Sequence, residues 1–281
     1  MRLATIHLQT LAWPDLAREL GDAEAAGVDA GYVADHLDHP LMRDSFIADA
    51  WTTLGAAAQV TSRLDLGTLV ASASFRSPLT LARAAATLQE VSGGRCVFGL
   101  GAGTPADAAA ALHTTPGAAD LTRRFAETVA EVDRIFRGEE PGIASLPAAP
   151  GRGRPFLMLA AHGPQGFDLV ARYADGWSTY GGGLSTGLDP TAYWSLLAEQ
   201  SRAVEQACDQ AGRDPGRLRR SLLLGYGTIR PVESVSTFRE CLERAEETGF
   251  DELVVYWPRG AEGTRFWADA GVFAECLGVR P

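Results

Sequence analysis

Short apolar segments and helical segments take turns along this chain, and that alternation restricts its fold more than any other feature. Residues 3–8, 28–34, 64–70, 95–101, 156–161, 176–179, 218–228 and 252–257 read as strands, each an apolar or alternating run bounded by turn residues. Residues 14–26, 49–60, 78–91, 121–136, 165–173, 191–211, 232–248 and 264–277 carry helical patterning. Local signals mark the boundaries. Gly27 closes the first helix, and Ser77 with Pro78 opens the third as cap and first helical residue. Strands and helices in this order predict an α/β fold, a (β/α)8 TIM barrel of parallel strands.

The rival is an open, doubly wound sheet, which places a glycine-rich phosphate loop after its first strand. Residues 7–13 follow the first strand here and contain no glycine. A length of 281 residues suits one barrel, so residues 1–281 are expected to form a single domain. The stretch 147–155 is rich in Pro, Gly and Ala, with Arg152 and Arg154, and has the composition of a linker, but strands and helices resume after it. Barrel chemistry sits on the loops that follow the strands, and the longest loops follow the second, fourth and sixth.

Composition narrows the chemistry. The chain has no lysine and no asparagine, so all 25 of its basic residues are arginine. Without a lysine amine, Schiff-base enzymes are excluded. The same bias points to a GC-rich genome. A net charge of -10 repels phosphate backbones and anionic lipid, so neither nucleic acid nor membrane is an expected partner. The cysteines Cys96, Cys208, Cys241 and Cys276 lie far apart without a CxxC pair, as expected of a reduced cytoplasmic protein without structural zinc. The first residues lack a signal-peptide pattern, and no apolar run approaches the roughly 18 residues of a membrane span.

Four strand ends carry candidate chemistry. After the second strand come Asp35, His36, Asp38 and His39. Such a cluster could ligate a metal, but barrel metals draw ligands from several strands and no later strand end offers a matching set. No metal is expected. A polar loop with a helix cap accounts for the residues as well, and so does a His36 that faces the cleft and donates a hydrogen bond or moves a proton. The third strand ends in Gly67 to Ser74, nearly all small, which either leaves room for a flat ring or is simply a barrel strand with small side chains. The fourth strand ends in Gly99, Gly101 and Gly103, followed by Thr104. These lack GxGxxG spacing, so a dinucleotide fingerprint is rejected, but a glycine-lined end still lets backbone approach a ligand. After the fifth strand, His162, Gly163, Pro164, Gln165 and Gly166 begin a helix whose first amides suit a phosphate, or form an ordinary strand-to-helix turn. Arg76 is either a carboxylate partner or a surface residue, and Gly181 to Gly183 suggest a mobile lid beside Tyr180. Trp13, Tyr180, Trp194 and Trp257 are expected to give a small-molecule substrate an apolar wall.

Together these segments resemble the luciferase-like monooxygenase superfamily, especially its branch that uses coenzyme F420. The matching stretches are Asp35 and His36, TSRLDLGTLV at 61–70, FRSPLTLARAAATLQEVSGGR at 75–95, FGLGAG at 98–103, ARYADGW at 171–177 and GFDELVVY at 249–256. The resemblance implies a bacterial-luciferase-like barrel with a non-prolyl cis peptide between Leu69 and Val70, beside Thr68, under the cofactor ring. It implies that His36 is catalytic and lies near the ring, that Gly101, Gly103 and Thr104 lie beneath it, and that residues 162–166 hold the cofactor phosphate. A homodimer through Trp51 and the helix of residues 51–60 is implied as well. The sugar-phosphate dehydrogenases of the branch carry a glutamate where this chain has Thr104, and bind substrate phosphate through lysines, so a phosphorylated sugar is not expected. No long insertion lies between Arg230 and Val232, so the cleft is expected to be open.

The implied activity is hydride transfer between reduced F420 and a small organic substrate. Two alternatives stay open. One is an FMN-dependent monooxygenase that uses dioxygen, and the other is a barrel that binds a cofactor without catalysis.

Overall fold

The computed structural model describes residues 1–37, 45–139 and 153–279. Its eight strands are β1 (Arg2–Ile6), β2 (Ala30–Val33), β3 (Asp65–Ser72), β4 (Cys96–Gly101), β5 (Phe156–Ala160), β6 (Gly176–Thr179), β7 (Arg219–Leu223) and β8 (Glu252–Tyr256). All are parallel, each pairs with the next, and β8 pairs with β1, which closes the barrel expected from the sequence. The helices are α1 (Trp13–Ala25), α2 (Ala50–Val60), α3 (Pro78–Val91), α4 (Pro105–Leu112), α5 (Ala118–Arg137), α6 (Pro164–Tyr173), α7 (Pro190–Gln210), α8 (Val235–Glu247) and α9 (Ala270–Gly278).

Several elements differ from expectation, and for one helix and two boundaries the reason is local. The sequence reading passes over α4, because its alanine-rich run lacks an apolar stripe; Thr104 caps it, with Oγ1 accepting the Asp107 amide at 3.1 Å. The seventh strand stops at Leu223 rather than 228, since Gly225 turns the chain with φ +98°. The last helix starts at Ala270 rather than 264, where Asp269 accepts the amides of Gly271 and Val272. Asp38, His39 and the linker-like residues 147–152 lie outside the described residues.

Two apolar layers hold the barrel. Ala4, Ile6, Tyr32, Val97, Met158 and Val254 pack inside it, while Leu16, Leu54, Leu81, Phe98, Val129, Trp177 and Phe238 fill the space between strands and helices. At the N-terminal end, buried Glu252 accepts Tyr32 Oη at 3.0 Å, Ser221 Oγ at 2.9 Å and Arg2 Nε at 3.3 Å. This carboxylate is tolerated because its oxygens are occupied by donors. No helix among the described residues is long and apolar enough to cross a membrane.

The seam between β3 and β4 shapes the opposite end. Leu66, Gly67 and Thr68 pair with Cys96, Val97 and Phe98; the register then shifts, and pairing resumes with Ala71 opposite Leu100. Here the backbones approach so closely that a Cβ on Gly99 would sit 2.0 Å from the Thr68 carbonyl oxygen. That oxygen belongs to a paired strand and has nowhere to go. Gly99→Ala is therefore expected to destabilise the protein by about 3 kcal/mol. Thermal unfolding of the purified variant checks this, and an unchanged melting temperature would contradict the close approach.

Candidate functional site

The C-terminal strand ends converge on a cavity of about 300 Å³. Much of its wall is apolar, with Ile6 and Leu8 from the β1 end, Leu69 and Val70 from β3, Ala160 from β5 and Leu223 from β7. A cis peptide joins Leu69 to Val70, at the position the resemblance implied. His36, Gly101, Gly103, Thr104 and His162 line the same cavity, so residues from the ends of β2, β3, β4 and β5 meet. Thr68 does not reach it. Its hydroxyl is fully buried and donates to the Gly99 carbonyl at 2.7 Å, across the β3–β4 seam. Gly163, Pro164, Gln165 and Gly166 do not line the cavity either. They start α6, where Gly163 is the N-cap and no side chain caps the first-turn amides.

His36 is held by a residue that the sequence reading missed. Its Nδ1 lies 2.8 Å from Asp107 Oδ2. Thr104 Oγ1 donates to the same oxygen at 2.8 Å, and the Leu37 amide donates to Oδ1 at 2.7 Å. Burial acts to raise the Asp107 carboxyl, but the bonds from His36, Thr104 and Leu37 outweigh it and hold the group below its ordinary value. The ionised carboxylate only accepts, so the His36 Nδ1 carries a proton. A signal for Asp107 was present: Thr104 and Asp107 have the spacing of a hydroxyl cap and an acidic partner three residues on.

Arg76 turns out to be a clamp. Its Nε and Nη2 donate to the two oxygens of buried Asp35 at 2.8 and 2.9 Å, and Nη2 also reaches Asp49 at 2.6 Å. Asp49 in turn caps α2 through the Thr52 amide. Burial raises the Asp35 carboxyl above its usual value against the pull of Arg76. The clamp fixes the β2 end next to His36.

On the far side, His162 Nδ1 lies 3.0 Å from Thr179 Oγ1, and its ring meets the Tyr180 ring edge-on at 4.7 Å. Burial lowers its pKa to about 4, so the imidazole is neutral near pH 7. The expected wall of Trp13, Tyr180, Trp194 and Trp257 is corrected: only Tyr180 lines the cavity, joined by Tyr226, Tyr256 and Phe266. Trp194 is buried on the helix layer, and Trp257 stacks on buried His7 at 5.1 Å. Tyr226 and Phe266 come from the loops after β7 and β8, so those loops contribute aromatic side chains to a cleft expected to be open. Among the described residues no group of three or more His, Cys, Asp or Glu could hold a metal.

Known proteins share this architecture. A family model described as luciferase-like monooxygenase matches residues 3–226. A phthiodiolone/phenolphthiodiolone dimycocerosates ketoreductase from Mycobacterium tuberculosis is 29% identical over 248 residues, 76% of this chain and 61% of that protein. An F420-dependent hydroxymycolic acid dehydrogenase from the same organism is 29% identical over 209 residues, 70% of this chain and 54% of its own. This chain thus spans less than two thirds of either relative. Among solved structures, an F420-dependent secondary alcohol dehydrogenase in complex with an F420-acetone adduct superposes with a TM-score of 0.73 at 20% identity, over 91% of this chain and 92% of the other. That likeness establishes the fold.

The depressed Asp107 carboxyl has a stability consequence. A group whose folded-state pKa lies below its unfolded value stabilises the fold above the unfolded value, near pH 4, and loses that contribution as pH falls through the folded one. Asp107→Asn is expected to be less stable than the parent by about 1–3 kcal/mol at pH 7. The gap should narrow as pH falls from 7 toward 3. Urea denaturation of both proteins across that range measures it, and a pH-independent gap would contradict an ionised Asp107.

Proposed function

We propose, starting from the fact that this chain belongs to the luciferase-like monooxygenase family, that it is an oxidoreductase that works with coenzyme F420. The proposed reaction passes a hydride between the reduced cofactor and a small carbonyl compound, or the reverse from the corresponding alcohol. The observation that carries this is the pairing of His36 with buried Asp107 on the same cavity as the Leu69–Val70 peptide and the glycine-ended β4. The names of the relatives, a ketoreductase and an F420-dependent dehydrogenase, support the choice of cofactor and of substrate class.

The residues present fit such a cofactor. The cavity wall at Leu69, Val70 and Gly101 is apolar and carries small side chains at its β4 side, which suits a flat ring. The uncapped first turn of α6, with open space at Gly163, suits a phosphate. When bound, the deazaflavin supplies the hydride. The protein supplies placement and a proton. Asp107 fixes the orientation of His36 and its proton at Nδ1, and the His36 imidazole exchanges a proton with the substrate oxygen as the carbonyl and alcohol interconvert. Tyr180, Tyr226, Tyr256 and Phe266 exclude water and favour substrates with an apolar or aromatic body. We extend the proposal to a cytoplasmic homodimer that uses the α2 face at Trp51, which sedimentation velocity checks.

Titration of the protein with oxidised F420 and, separately, FMN, followed by tryptophan quenching, tests the cofactor. Tight F420 binding with weak FMN binding is expected; FMN preference with substrate-dependent oxygen uptake would replace this proposal with a monooxygenase. His36→Ala is expected to lower turnover about a hundredfold or more while leaving F420 affinity within about threefold. Binding without turnover of any carbonyl or alcohol, unchanged by His36→Ala, would favour a non-catalytic barrel.

A further inference from the structure

The hydrogen bonds behind His162 determine which of its nitrogens carries the proton. Gln200 Nε2 faces two carbonyl oxygens, Gly181 O at 3.1 Å and His162 O at 3.4 Å, and only its NH2 end can donate to them. Gln200 Oε1 is therefore the end that meets Thr179 Oγ1, at 2.8 Å, and the threonine must donate its one proton there. Thr179 Oγ1 also accepts the Gly181 amide at 2.9 Å. With its proton committed to Gln200, it can only accept from His162 Nδ1 at 3.0 Å. The proton of the neutral ring sits on Nδ1, and Nε2 holds a lone pair.

That lone pair belongs to a ring that lines the cleft. Among the described residues Nε2 has no hydrogen-bond partner, and it is not a sealed buried atom. The ring is gripped as well as oriented. Gly182, at φ +72°, packs so closely that a Cβ there would lie 2.7 Å from His162 Cβ and Cγ, and the Tyr180 ring meets it on its edge. A neutral imidazole fixed in one tautomer, with an unused acceptor aimed at a ligand cavity, is built to receive an O–H or N–H.

We propose that His162 Nε2 accepts a hydrogen bond from a hydroxyl of the cofactor's ribityl chain. The assignment rests on the cofactor reading above and follows from position. A flavin-type cofactor is a ring joined through a polyol to a phosphate. The ring wall is formed by Val70 and Gly101, and Ala160 continues it onto the β5 end. His162 comes two residues after Ala160 and immediately before Gly163, the N-cap of the helix suited to the phosphate. The polyol has to cross this interval. A lone pair there repels phosphate oxygens, so the matching donor is a hydroxyl.

Two substitutions separate this role from a structural one. His162→Asn places an amide nitrogen where Nδ1 was, keeps the bond to Thr179, and removes the acceptor at Nε2. His162→Gln reaches the Nε2 position with an acceptor oxygen. In fluorescence titrations with F420 alone, the Asn protein is expected to bind about tenfold more weakly than the parent, and the Gln protein within about threefold of it. In 15N-histidine NMR spectra of the parent protein, the His162 resonances should show Nδ1 protonated and Nε2 bare. Added F420 should then shift Nε2 toward a hydrogen-bonded position. Equal affinity of the Asn protein and the parent, equal losses in both variants, or a proton on Nε2 would each overturn the ribityl assignment. If the parent itself fails to bind F420, the cofactor reading falls, and this assignment with it.

Discussion

Five consecutive pairings between β1 and β8, from Arg2 opposite Glu252 to Ile6 opposite Tyr256, close the sheet on itself. Closure leaves no strand edge exposed, and because every pairing is parallel all eight strands point their C-terminal ends the same way. The two ends of the ring then solve different problems. At the N-terminal end, Tyr32, Ser221 and Arg2 converge on Glu252 and seal the interior. At the C-terminal end no such plug forms among the described residues, and the space inside the ring opens as the cleft. His36, Val70, Gly101 and His162 come from separate strands and share a cavity because the ring brings their strand ends round to one rim.

The β3–β4 seam gives that cleft its particular shape. Gly67 and Gly99 let the two backbones approach within the reach of a missing Cβ, and the register shift that follows brings Leu69 and Val70 to the cavity wall. Three residues after β4 ends at Gly101, Thr104 caps α4, and the cap delivers Asp107 to His36. A carboxylate with 0% exposure is stable there because it accepts from a side-chain nitrogen, a hydroxyl and a backbone amide at once. One short segment thus ends a strand, starts a helix and orients the histidine.

The opposite wall is organised differently. Tyr180, Tyr226 and Tyr256 surround the cavity with rings, and none of their hydroxyls has a protein partner among the described residues. Gln200, on α7, reaches behind that wall to hold Thr179 and the Gly181 turn, and so controls His162 from the helix layer. The cleft therefore has one histidine backed by a carboxylate and another backed by a neutral relay. The first is suited to moving a proton, and the second to accepting a hydrogen bond while staying neutral.

The sequence alone determined the barrel, the order of its strands and the strand ends at which to look, because hydrophobic periodicity and turn residues are local signals. The structure brings His36, Leu69, Val70, Gly101, Gly103, Thr104 and His162, all picked out from strand ends, to one cavity. The sequence could not decide whether Arg76 pairs with a carboxylate or sits on the surface, nor foresee that Thr68 points into the β3–β4 seam, because side-chain direction depends on tertiary contacts and on the register shift. The tryptophans misled for a related reason: Trp194 sits on a helix and is consumed by the core, whereas the cavity wall takes Tyr226 and Phe266 from loops that carry no periodic signal. Only the tertiary structure decided that Asp107 meets His36, 71 residues earlier in the chain, and that Gln200, through Thr179, sets the tautomer of His162. Those contacts span different strands and helices, and a hydrogen bond across that separation exists only once the ring has closed.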